Sequence, residues 1–87
     1  MLKANGETDM PAFPPERISI DKNILGGKPA ISGTRISVEM VLGLLSDGWT
    51  DASILEAYPH ITRDDILACI AFARDLVVED FEITSAA

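Results

Sequence analysis

The chain is 87 residues long and 47% hydrophobic, which suits one small domain with a true core and excludes disordered or collagen-like classes. Its net charge of −7 is opposite in sign to that of most polyanion binders, whose affinity comes from Lys and Arg on phosphate. The single cysteine, Cys69, excludes an internal disulfide framework. No apolar run reaches the roughly 18–20 residues of a membrane span, and no secretory pattern opens the chain, so a cytoplasmic protein is expected.

Residues 1–16 contain Pro11, Pro14 and Pro15 without periodicity and read as a lead-in to the domain. The next stretch, 17–35, is basic: Arg17, Lys22, Lys28 and Arg35 stand against Asp21 alone. Residues 36–87 reverse this, with ten acids against Arg63 and Arg74. Arg17-Ile18-Ser19-Ile20 alternates polar and apolar, a short strand signature. Gly26-Gly27 supplies a turn, after which Ala30-Ile31-Ser32 pairs back on 18–20 as a hairpin; Ser32-Gly33-Thr34 is a second turn.

Three helix starts follow, each with an apolar pair at N′ and N4 around a Ser or Thr cap. Ser37 lies between Ile36 and Val41, Thr50 between Trp49 and Ile54, and Thr62 between Ile61 and Ile66; Asp65 stands where a capping-box acid belongs. The first helix is expected over 38–46, ended by Gly48 as a left-handed residue. The second spans 51–57 and stops at Pro59, and the third spans 63–78.

The third helix is apolar on two sides, with Ile66, Ile70, Ala73 and Val77 on one stripe and Ala68, Phe72 and Leu76 roughly opposite. Two short helices cover one of those faces. The other is covered by the hairpin or, the reading favoured here, by a second copy, with Ala68, Phe72 and Leu76 at the seam of a homodimer.

Catalytic and metal chemistry find no constellation. His60 is alone in a turn, and Cys69 has no activating base beside it and no second thiol for a metal site. The run from Gly26 to Thr34 lacks the Lys that follows the last glycine of a phosphate loop. Asp64-Asp65 and Glu79-Asp80 are neighbours on a helix and point about 100° apart. An enzyme, a metal and a cofactor are therefore not expected.

The stretch Ile24-Leu25-Gly26-Gly27-Lys28-Pro29-Ala30-Ile31-Ser32-Gly33-Thr34-Arg35-Ile36 closely resembles the signature of domain-of-unknown-function family 433. Asp47-Gly48, Tyr58-Pro59 and Ile61-Thr62-Arg63-Asp64-Asp65-Ile66 fit as well, and the resemblance covers roughly 17–79. It implies a mainly α fold: a three-helix, homeodomain-like helix-turn-helix bundle preceded by a short β-hairpin. It also implies an antitoxin-like protein that masks a small PIN-like nuclease toxin and, in complex, represses its own promoter.

Two binding surfaces are expected on that basis. The tail over 80–87, with Glu79, Asp80, Phe81, Glu82 and Ile83 as contacts, sets two apolar anchors among acids and suits a basic toxin cleft; the bland alternative is a frayed helix end with a solvated charge run. DNA contact, the alternative function, falls to Arg17, Lys22, Lys28, Arg35 and Arg63. The bland reading of the basic arm is a hairpin whose charges keep a sheet edge soluble, with Arg35 pairing an acid such as Glu39. The third helix itself, opening Arg63-Asp64-Asp65, is a poor reader of base edges.

Overall fold

The computed structural model describes the backbone of residues 15–86 and the side chains of residues 16–79. Most of the expected 1–16 lead-in lies outside the described residues. A 3-10 turn over Pro15–Arg17 leads into β1 (Ile18–Ser19), which pairs antiparallel with β2 (Ala30–Ile31) in the register Ile18↔Ile31 and Ser19↔Ala30. Between them a 3-10 turn over Leu25–Gly27 places Leu25, Gly26 and Gly27 at positive φ in succession.

Beyond β2 the chain doubles back at once. Ile31 donates its N–H to Ile36 O at 2.9 Å, Val38 donates to Pro29 O at 2.9 Å, and Ala30 forms a bridge with Ser37. Thr34 holds this second turn from both sides, its Oγ1 donating to Ile31 O at 2.8 Å and accepting from Ile36 N at 3.0 Å. Gly33, at φ 80°, supplies the left-handed residue the turn needs. Thr34 is thus a fold determinant, and its hydroxyl is spent on the backbone.

Three helices follow: α1 (Val38–Ser46), α2 (Asp51–Ala57) and α3 (Arg63–Ala86). Ser37 Oγ accepts from Met40 N at 2.9 Å. Thr50 and Ser53 cap each other's backbone N–H at 3.1 and 3.0 Å, a reciprocal box the sequence reading did not foresee. Thr62 and Asp65 form the expected one, at 3.2 and 2.9 Å. Gly48, at φ 98°, closes α1 with the paired bonds Trp49 N to Leu44 O and Gly48 N to Leu45 O that define a Schellman end.

The core gathers Ile31, Ile36, Val38, Val41, Ile54, Ile61, Ile66 and Cys69, with Phe72 among the half-buried side chains against it. Both members of the Ile36/Val41 and Ile61/Ile66 pairs are buried there, whereas Trp49 stays 41% exposed. α1 and β1 both pack on α3, so the hairpin does cover part of that helix.

Two expectations for α3 need correction. It does not stop at 78 but runs helical to Ala86, through the segment expected to be a separate tail. Its inward stripe is also rotated: Ile66, Ala68 and Cys69 are buried, Phe72 packs on the core, and Ile70 and Val77 face outward. The Asp65 carboxylate, held by Arg17 at 3.0 Å, lies on the same inward side of the helix as Cys69 and Phe72.

Candidate docking surface

The basic residues offered for DNA are mostly engaged by acids of the same chain. Arg17 bridges Asp65 at 3.0 Å and Asp64 at 3.8 Å. Lys28 pairs with Glu39 at 3.1 Å, taking the acid expected to serve Arg35. Arg63 reaches Asp51 at 3.1 Å and ties the start of α3 to the start of α2. Lys22 and Arg35 are exposed, with no acid within 4.0 Å among the described residues. Three of the five bases are thus paired within the chain. The first turn of α3, where a recognition helix meets DNA, carries Asp64 and Asp65.

Of the residues expected at a dimer seam, Ala68 is 4% exposed and Phe72 is half-buried against the core. Leu76 remains accessible at 48%. The residues that sequence reasoning missed as surface are Ile70 at 43%, Val77 at 56% and Val78 at 53%. The missing signal was a tertiary one, since either stripe of the helix has a core-like pattern when read alone. Glu79 is exposed, while the side chains of Asp80, Phe81, Glu82 and Ile83 lie outside the described residues.

Past Phe72, α3 leaves the bundle behind. Every described side chain from Arg74 to Glu79 is exposed, and the helical backbone continues to Ala86. At 1.5 Å per residue, residues 74–86 make a rod of roughly 20 Å. Its described apolar side chains, Leu76, Val77 and Val78, lie between Asp75 and Glu79.

Cys69 is wholly buried, and burial, with a smaller contribution from the Asp65 carboxylate, pushes its thiol up from 9.0 to about 12. The neutral thiol is a core side chain and a poor nucleophile at neutral pH. The unfolded chain loses this proton near pH 9 while the folded chain holds it to about 12. Stability is therefore complete below pH 9 and falls above it, by up to roughly 1.4 kcal/mol per pH unit. Urea midpoints at pH 8 and 10 should drop more for the wild type than for Cys69→Ala; equal drops would show that the thiol ionises freely when folded.

Among the described residues no cluster of three potential metal ligands is present, and no helix is long and apolar enough to cross a membrane.

No curated protein matches the chain. A crystal structure of a DUF433 member protein from Anabaena variabilis is similar to it with a TM-score of 0.67 and 26% identity, covering 84% of this chain and 71% of that one. The family model described as protein of unknown function, DUF433, matches residues 18–73. That span takes in the hairpin, both glycine turns and α1 through the core-packed part of α3, and the chain belongs to the DUF433 family.

Proposed function

We propose that this chain is the antitoxin-like half of a toxin–antitoxin pair, a binding module that neutralises a small PIN-like nuclease. The supporting observation is the exposed half of α3, an apolar and acidic rod held out by a folded base. A nuclease must bind a polyanion and so carries a basic cleft; an acidic helix with apolar anchors suits such a cleft better than it suits DNA. The engagement of Arg17, Lys28 and Arg63 by internal acids points the same way.

A tagged chain recovered from its own cells, half the sample treated with nuclease, tests this. The expected result is a stoichiometric small protein in both halves, with ribonuclease activity that returns when the chain is removed. Nucleic acid recovered without a protein would turn the assignment to a DNA-binding regulator.

That second reading has its own observation, the exposed Lys22 and Arg35 on the hairpin side of the domain. Autoregulation of a promoter would use them as phosphate contacts, duplicated in a dimer or in the complex with the toxin. Two phosphate contacts per chain confer little affinity alone, which suits a role secondary to neutralisation.

A further inference from the structure

We propose that the half of α3 beyond Phe72 is a helical ligand that enters an apolar groove on a basic protein, with Leu76 and Val77 as anchors and the acids of the same segment, Asp75 and Glu79, drawing it to that protein's positive charge. The inference rests on the reading of the chain as a protein-binding module and assigns that binding to one surface.

The apolar stripe of α3 is continuous from core to surface. Cys69, Phe72 and Leu76 follow at steps of three and four residues and share one side of the helix, yet they pass from fully buried to half-buried to 48% exposed. Ile70 and Val77, seven residues apart, form an adjoining exposed stripe. A groove laid over the rod would thus meet two adjacent apolar rows, the pattern of helix-in-groove recognition.

The charges select the occupant. The stretch from Asp75 to Glu82 holds Asp75, Glu79, Asp80 and Glu82 and no base. A second copy would bring a segment of the same sign, which like-charge repulsion opposes. The same acids repel nucleic-acid phosphates and anionic headgroups.

The helix itself points to a cationic cover. Its C-terminal end carries the negative pole of the macrodipole, where cations stabilise and acids destabilise. No base lies in the last turn of α3, while Glu79, Asp80 and Glu82 lie in its last turns. A segment that works against its own helix in this way suits a surface completed by Lys and Arg of a partner.

The test places a photo-crosslinking residue at Val77, and separately at Gly43 on the exposed side of α1, in the full chain made in its own cells. The expected adduct forms from position 77 and not from 43, and joins the chain to a protein of basic isoelectric point. That protein, purified, is then titrated with four forms of the chain. Leu76→Asp with Val77→Asp should weaken binding about 100-fold at unchanged thermal stability. Asp75→Asn with Glu79→Gln should weaken it about tenfold and flatten its salt dependence. Lys22→Ala with Arg35→Ala should bind as the wild type does.

An adduct to a second copy, no adduct at 77, or full affinity in the Leu76→Asp/Val77→Asp form would each overturn the assignment. A partner that binds through this helix but has no nuclease activity would retire the antitoxin reading and uphold the surface. A nuclease held equally well by the Leu76→Asp/Val77→Asp form would do the reverse.

Discussion

Replacing Ile54 by alanine is expected to lower the stability of the chain by about 3 kcal/mol, within the range for truncating a fully buried isoleucine. Ile54 is 0% exposed and is the one fully buried residue of α2. A helix of seven residues cannot stand by its own propensity, so its place in the bundle depends on that side chain and on the half-buried Leu55. For a domain of this size the loss corresponds to a melting temperature lower by roughly 15 °C. Val77→Ala, on the exposed part of α3, is the control and should change stability by less than about 0.5 kcal/mol. Thermal melts of both variants decide the matter. If Ile54→Ala cost under about 1 kcal/mol, α2 would not be anchored to the core as described.

The local devices were legible because each is written in a few adjacent residues. Ser37, Thr50 and Thr62 each accept a backbone N–H at the start of a helix, and Gly48 has the positive φ that its place after α1 demanded. The hairpin could be read from alternation and glycine placement, including its register partner strand. What escaped was set at longer range. Arg17 pairs with Asp65, forty-eight positions away, on the side of α3 that turns inward, and two apolar stripes on one helix cannot be ranked without such tertiary contacts. Glu39 pairs with Lys28 rather than with Arg35, its nearer neighbour in the chain.

The length of α3 did have a signal in the chain. After Pro59 there is no glycine or proline to stop a helix, yet the acids at Glu79 and Asp80 read as the start of a tail. They are instead carried on helical backbone to Ala86. For the candidate site this matters more than any cap, because it turns an expected acidic and apolar tail into a helical rod that extends an apolar stripe of the core. Of the bases named for DNA, Arg17, Lys28 and Arg63 each meet a carboxylate of the fold, as a chain rich in acids allows.

Asp65→Ala is expected to cost about 2–3 kcal/mol, an unusual amount for a residue in the first turn of a helix, because its carboxylate has two tasks. Oδ2 accepts the Thr62 N–H at 2.9 Å and completes the cap of α3, a bond worth about 1 kcal/mol. Oδ1 accepts from Arg17 Nη1 at 3.0 Å and locks the hairpin onto α3. The Asp65 side chain is only 13% exposed, so this pair is less screened than the surface pairs of Lys28 and Arg74. Removing the acid strands a guanidinium whose Nε is already buried without a partner, leaving only Asp64 at 3.8 Å. Arg17→Met keeps the packing of the stem, removes that buried Nε, and should cost only about 1 kcal/mol. Asp65→Asn separates the tasks, since its amide oxygen can still cap Thr62 while the charge is lost; it should fall between wild type and Asp65→Ala. Urea denaturation of these variants and of the Arg17→Met/Asp65→Ala double gives a thermodynamic cycle. A coupling of about 1–2 kcal/mol is expected. A coupling near zero would mean that apolar packing alone sets the rotation of α3, and with it which of its two stripes is left for a partner.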